Sequence, residues 1–380
     1  MNERIKSYNV KIEVLGPLFV GSGQEVKKSE YIYDSRNKKI YIMDIRKMYE
    51  GLKKIGKLEC YEDFITKTPN PNLGWFVREN KIESSQYVQW AAYSFNAMED
   101  TKDKNSNIMA FVKDAYNMPY LPGSSFKGAV RNALLNAVVM SDKYKEIAKS
   151  AETNINNYDY KRRKAYLSQE SKGLDVKAFH VLSDYNERKG IKPEHAVNSM
   201  FRGFVVSDSK PLKPEDIVLC EKIDVTPNGK KCKIGMLREC IKPGTVVELT
   251  VSIDTEVFDY NAETLENEMQ IMYNNIKRKF LEDFPKTAEY KGNLIYIGGG
   301  TGFPTKTAVY SLFSEKERAV KNTSIILDKL FPKTANKRNM IPHSEDLKRY
   351  GVSPRTRKCT MYNNEMYDFG LCRVDFQPIQ

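Results

Sequence analysis

Histidine and tryptophan are scarce in this chain, with three and two residues among 380. The six cysteines, Cys60, Cys220, Cys232, Cys240, Cys359 and Cys372, include no Cys-x-x-Cys pair and have no close histidine partner. A zinc site of the usual ligand spacing is therefore excluded, and no metal is expected. So low a cysteine density suits free thiols in a reducing compartment, although Cys232 and Cys240 are near enough in sequence to pair if oxidised. Nowhere do 18 apolar residues run together, so no membrane-spanning helix is expected. The charged start, Met1 to Lys6, and the short apolar stretch Val14 to Val20, broken by Gly16 and Pro17, are unlike a secretory signal. These absences together predict a cytoplasmic protein.

What the chain does have is positive charge: 61 Lys and Arg against 49 Asp and Glu give a formal charge of +12, spread along the sequence rather than confined to a tail. Nucleic acid is the partner class such a balance favours, although many basic proteins bind none. The length favours two domains, with room for insertions.

Two glycine-rich phrases stand out, Leu121-Pro-Gly-Ser-Ser-Phe-Lys-Gly-Ala-Val-Arg131 and Tyr296-Ile-Gly-Gly-Gly-Thr-Gly-Phe-Pro-Thr-Lys306. Without Cβ atoms their backbone can approach a ligand closely, and bare N–H groups beside a lysine suit an anion such as phosphate. The first phrase runs into a helix, with Ser124 and Ser125 as N-cap candidates, and the helix dipole favours an anion there. Along that helix Phe126, Val130, Ala133, Leu134 and Ala137 form a buried stripe, while Lys127 and Arg131 stand four apart on another face.

Strand and helix signals extend over the rest. Val10, Ile12 and Val14 alternate with charged residues as a half-buried strand, followed by a loop at Val20-Gly-Ser-Gly-Gln24. Tyr31 to Tyr33 and Ile40 to Met43 flank a turn as a hairpin, and Asp44 caps a helix to about Ile55. Glu99 to Asn107 reads as a loop, and Ser141 to Leu167 as charged helix whose Lys161-Arg-Arg-Lys164 run is a solvated face. After the predicted strand Phe201 to Val206 a domain boundary is expected, giving modules over 1–200 and 201–380. The second module has an alternating strand at Val247 to Ile253, a helix from Ala262 to Phe284, and a strand at Asn293 to Ile297 that delivers the second glycine phrase. From Pro332 to Lys358 there is an excess of six positive charges, read as a loop excursion before a last strand at Leu371 to Phe376.

Better-known phosphate motifs do not fit. A Walker A count from Gly298 meets Phe303 where its second glycine belongs, and the dinucleotide count reaches the same phenylalanine in place of its third. No nucleotide cofactor is expected. Ser124-Ser-Phe-Lys127 has the Ser-x-x-Lys spacing of penicillin-interacting enzymes, but neither a Ser-Asp-Asn nor a Lys-Thr-Gly partner is present.

Gly21-Ser-Gly23 after the first strand, the Pro-Gly-Ser-Ser-x-Lys-Gly-x-x-Arg phrase, and Gly298-Gly-Gly-Thr-Gly302 with Lys306 downstream together resemble the RAMP superfamily of CRISPR proteins. The resemblance spans roughly Val10 to Thr307. Together with Phe201-Arg-Gly-Phe-Val-Val-Ser-Asp-Ser209, it is most similar to the subunits of type III-A Csm complexes. It implies an α+β fold of two ferredoxin-like, RRM-related modules with helical and loop insertions. The paired aromatics of an RRM stacking platform are missing, so RNA would be held by its backbone. The implied partners are CRISPR RNA, other Csm subunits, above all the repeating RAMP backbone subunit, and in some states target RNA. Its implied place caps the 3′-spacer end of the guide, where it assists maturation without cutting.

On that reading the RNA-binding residues are Gly21, Ser22, Gly23, Gly123, Ser124, Ser125, Lys127, Arg131, Gly298, Gly299, Gly300, Thr301, Gly302 and Lys306. For Lys127 a solvated helix face is the alternative, and for Gly298 to Gly302 a tight turn between strands. The competing class is a metal-independent RAMP ribonuclease, which would draw its general base from His180, His195 or His343. None of the three has a recognisable acid partner nearby in the sequence. Asp34 and Asp44 are read as turn and cap residues rather than as a target-cleaving aspartate.

Overall fold

The computed structural model of the chain describes residues 4–97, 106–157, 167–182, 190–332 and 341–379. Both the polar stretch 98–105 and the run Lys161-Arg-Arg-Lys164 lie outside them, as do Lys333, Lys337 and Arg338 of the basic segment.

The alternating first strand, β1 (Ile5–Val14), buries Tyr8, Val10, Ile12 and Val14 and so takes a central position in a sheet. Antiparallel partners flank it on both sides: β10 (Val246–Asp254), the second alternating strand, and β14 (Leu371–Pro378), from the far end of the chain. The short strands β7 (Phe204–Val206) and β11 (Leu294–Tyr296) complete the order β11-β14-β1-β10-β7.

A second sheet has nine strands, seven in the order β2-β6-β9-β8-β5-β4-β3 and the remaining two at its side. Its members are β2 (Gly21–Val26), β3 (Tyr31–Asp34), β4 (Lys39–Met43), β5 (Ala91–Ala97), β6 (Ile108–Phe111), β8 (Ile217–Val225) and β9 (Lys231–Ile241). The side pair is β12 (Arg357–Tyr362) on β8 and β13 (Glu365–Asp368) on β12. The α+β class is as expected. A boundary at residue 200, however, does not divide the sheets, because each takes strands from both sides of it.

Between β4 and β5 an insertion of α1 (Ile45–Lys54), α2 (Leu58–Lys67), α3 (Leu73–Glu79) and α4 (Ser84–Tyr87) packs around its own core of Met48, Leu52, Phe64, Phe76 and Trp90. Asp44 caps α1 by accepting from the amides of Arg46 and Lys47 at 3.0 and 3.1 Å. Asp34 closes the β3–β4 turn by accepting from Arg36, Asn37 and Tyr87, so both aspartates have the structural roles expected of them. The first sheet is backed by α5 (Gly123–Val138) and α8 (Ala262–Lys279), with α6 (Lys145–Asn157), α7 (Ser168–Phe179), α9 (Val309–Leu312) and α10 (Lys316–Leu330) around them.

Three local readings are corrected. Gly21 to Gln24 is not a loop but the start of edge strand β2, which pairs with β6 through a bulge between Gly21 and Glu25. The strand expected from Phe201 begins at Phe204, because Met200–Gly203 form a 3-10 turn whose Phe201 packs edge-on to Phe179, Phe204 and Phe258. The basic segment is not an irregular excursion where it is described: it contains α11 (Asp346–Tyr350) and the start of β12.

Much of that segment's charge is consumed internally. Arg357 grips Asp368 with two bonds of 2.6 Å, both side chains buried, and Asp368 also accepts from Tyr296. Arg355 pairs with the fully buried Asp346; Lys358 shares its acid, Asp224, with Lys222. Asp368→Ala would leave Arg357 a buried, unmatched cation, and urea unfolding should show a loss of about 3–5 kcal/mol. Lys279, 4% exposed, donates to the carbonyls of Tyr310 and Phe313, and burial lowers its pKa from 10.5 to about 8. With the folded value below the unfolded one, the unfolded chain binds more protons within that window. Stability should therefore rise between those two pH values, and urea midpoints of Lys279→Met should lack the rise.

Candidate RNA-backbone interface

The three glycine phrases, separated by almost 300 residues of chain, meet at one cleft. Its lining includes Gly21 from the start of β2, Ser124 and Ser125 from the first turn of α5, and Gly298, Gly299 and Lys306 from the segment after β11. The cavity has a volume of about 420 Å³.

Close backbone approach brings these segments together. The amide of Gly299 donates to the carbonyl of Phe19 at 2.6 Å, and a Cβ on Gly298 would stand 2.2 Å from that same oxygen. Gly298, Gly300 and Gly302 all have positive φ, of 76°, 87° and 103°, a region that side-chain-bearing residues rarely adopt. The loop's far end is tied down by side chains: Thr305 Oγ1 donates to Thr301 Oγ1 and to the carbonyl of Gly302, and Asn132 of α5 donates to the carbonyl of Thr305. Glycine loop and helix therefore form one wall.

Helix α5 starts at least two residues earlier than its serines suggested. Pro122 is the N-cap, so Ser124 and Ser125 lie within the first turn and neither caps it. A carboxylate already sits at this terminus, since the Gly123 amide donates to Asp208 at 2.8 Å. Gly123 is there for packing: a Cβ would meet the carbonyl oxygens of Val206 and Ser207 at 2.6 and 2.4 Å.

The two cations of this helix face away from the cleft. Lys127 donates to the carbonyl of Phe201 at 2.8 Å, and its pKa is lowered by burial and by the neighbouring Arg131. Arg131 makes a two-pronged bond with Asp175 of α7 at 2.6 and 2.5 Å and lies over the rings of Phe179 and Phe201. Both hold α5 to α7 and the 3-10 turn. Expected as phosphate contacts, both are engaged by protein groups because the helix turns their face toward α7.

The cleft side of α5 is instead small and neutral: Ser124, Ser125, Gly128, Ala129 and Asn132. Sequence reasoning passed over the last three, although successive steps of three and four residues from the serines place them on one helical face. Lys306 is the cation of the cleft. It is exposed, pairs with no carboxylate among the described residues, and has a pKa held below the ordinary lysine value by partial loss of hydration. Of the β2 residues, Gly21 lines the cleft, whereas Ser22 turns back to the carbonyl of Ala110 and Gly23 takes a positive φ with no neighbour within 4 Å of a Cβ. Thr301 is buried, and Gly300 and Gly302 lie further along the loop, against Arg238 and Lys358.

The histidines do not gather at the cleft. His180 shares a 2.9 Å contact with the carbonyl of Pro193 and lies 3.9 Å from Asp175. His195 is exposed beside the amide of Lys192. His343 does have an acid partner, contrary to expectation: its Nδ1 is 2.9 Å from Asp346, three residues on in the same 3-10 and helical segment. Among the described residues no His, Cys, Asp and Glu cluster could hold a metal ion, and no helix is long and apolar enough to cross a membrane.

Fold and cleft define an α+β protein in which backbone, hydroxyls and a lysine line one surface. The chain belongs to the RAMP superfamily, whose sequence profile matches residues 11–303. It is 27% identical to a protein of Enterococcus italicus named CRISPR system Cms protein Csm5, over 98% of each chain. It is 25% identical to the protein of that name from Mycobacterium tuberculosis over 99% of each, and 28% identical to that of Streptococcus thermophilus over 81% of each. Its fold resembles a chain in the cryo-EM structure of a Csm–crRNA–target RNA ternary complex of a type III-A CRISPR–Cas system, with a TM-score of 0.62 at 16% identity over 97% of this chain and all of that one. The crystal structure of T. onnurineus Csm5 gives 0.58 at 16% identity over 96% and 99%.

Glycine replacements separate packing from access. Gly298→Ala forces a Cβ onto Phe19 at a positive φ and should cost at least about 1–3 kcal/mol. Gly128→Ala, inside α5 with nothing within 4 Å of its Cβ, should instead stabilise the chain by about 1 kcal/mol. Thermal unfolding of the two variants checks both signs.

Proposed function

We propose that this chain is a non-catalytic CRISPR-RNA-binding subunit of a type III-A Csm complex, seated at the 3′-spacer end of the guide and assisting its maturation in antiviral defence. The observation that carries this reading is the convergence of all three glycine phrases at the Lys306 cleft. Full-length similarity to proteins named Csm5, and a shared fold with a chain of a Csm–crRNA–target RNA complex, support it. Neighbouring Csm subunits and target RNA are its further partners.

RNA is held here by its phosphates. Ser124, Ser125, Lys306 and the backbone around Gly21, Gly298 and Gly299 are the contacts, while Lys127 and Arg131 act behind them by fixing α5. Such contacts tolerate any base, and the lysine makes them sensitive to salt: each phosphate it neutralises steepens the fall of log affinity with log salt by about 0.7 for a single strand. Lys306→Gln and Ser124→Glu should each weaken binding of single-stranded RNA about tenfold, evenly across sequences, with unchanged unfolding midpoints. Titration of labelled RNA into the folded variants tests this, and affinities equal to wild type would remove the cleft from the proposal.

The second reading, a metal-independent RAMP endoribonuclease acting on CRISPR precursor RNA, draws on the His343–Asp346 pair. Metal-stripped protein incubated with precursor RNA should leave it intact. Cleavage that disappears in His343→Ala would replace the binding role by an enzymatic one.

A further inference from the structure

Arg238 of β9 is 9% exposed and has no carboxylate partner among the described residues. Its guanidinium lies between the rings of Phe19 and Phe369, at 5.0 and 5.4 Å. Nη2 reaches Met236 Sδ at 3.2 Å, and Nε and Nη1 have no hydrogen-bond partner. A buried guanidinium so poorly answered is costly unless an anion offsets it.

The surroundings add positive charge. Lys222 and Lys358 stand on β8 and β12 of the same sheet, and one carboxylate, Asp224, serves both, at 3.9 and 2.7 Å. Two of the three cations therefore share one acid, and Arg238 has none among the described residues. Over them lies the far half of the glycine loop: a Cβ on Gly300 would stand 2.3 Å from Arg238 Nη1, and one on Gly302 would stand 3.4 Å from Lys358 Cγ. The amides of Gly300, Thr301 and Gly302 make no hydrogen bond among the described residues. Gly298 and Gly299 face the Lys306 cleft, so the two halves of one loop meet two separate basic sites.

We propose a second phosphate seat, formed by Lys222, Lys358 and the Gly300–Gly302 backbone with Arg238 as its buried charge, so that the RNA backbone is held on both halves of the glycine loop. This deepens the RNA-binding reading and rests on it. Lys222 and Lys358 touch phosphate. Arg238 acts through its field and by supporting the loop, and is a positioning residue.

The test uses the full chain and a labelled oligo(U) strand, alone and annealed to oligo(A), titrated at several salt concentrations. The double variant Lys222→Gln/Lys358→Gln should bind about tenfold more weakly, and its slope of log affinity against log salt should fall by about 0.7 for each phosphate no longer neutralised. Weakening with the single strand assigns the seat to the guide; weakening confined to the duplex assigns it to the paired strand. Unchanged affinity and slope in both arms overturn the seat. Lys306→Gln, run in parallel, separates the two claims: if it weakens binding while the double variant does not, the seat falls and the cleft stands, and if neither weakens binding both fall. Arg238→Met, of similar volume, should leave the thermal midpoint equal or higher yet weaken RNA about threefold or more. A lowered midpoint with unchanged affinity of the folded protein would make Arg238 purely structural.

Discussion

The approach of two backbones, Gly298–Gly299 against Phe19, is the constraint on which the rest of this molecule depends. It joins the segment leaving the first strand to the segment leaving β11, and thereby joins the two sheets. No side chain can replace it, because the 2.6 Å amide-to-carbonyl bond needs a residue without Cβ on the neighbouring position. Phe19 contributes twice more: its ring packs over Arg238, and a Cβ on Gly21 would strike it at 2.9 Å. A single phenylalanine thus sets the spacing of the β2 edge, the glycine loop and the buried guanidinium.

Around that contact the charges sort by role. Arg131, Lys127, Arg355 and Arg357 are spent on the scaffold, each facing a protein acceptor. Lys306 is left to solvent, and Arg238 is left under-answered in the interior. Ion pairing leaves the formal charge of +12 unchanged, since each paired cation takes an acid with it, so the positions of the cations without an acid matter more than the sum.

How far the sequence could be read follows from this. Strands with strict alternation, Val10 to Val14 and Val247 to Ile253, were legible because one face of each is buried. So was the Asp44 cap, a purely local interaction. The glycine phrases stood out, since bare backbone is itself a signal, and residues from all three line one cleft. What stayed hidden was long-range pairing. Nothing near Arg131 announces Asp175, 44 residues away, and nothing near Arg357 marks it as a buried ion pair. The small residues Gly128 and Ala129 carry no chemical signature and acquire meaning only as the wall of a cleft. The module boundary at residue 200 was misleading because strand order in space does not follow order in the chain.

That interleaving governs when the molecule becomes competent. Synthesis makes β1 long before β14, so one of the two edges of β1 stays open until β14 follows. The same closing segment locks the glycine loop, through Ile297 to the carbonyl of Gly370 and Gly370 to that of Pro17. Contacts this distant in sequence form late and slowly. The cleft cannot take shape until β14 has been made, so a copy truncated before that strand carries the cations without the geometry.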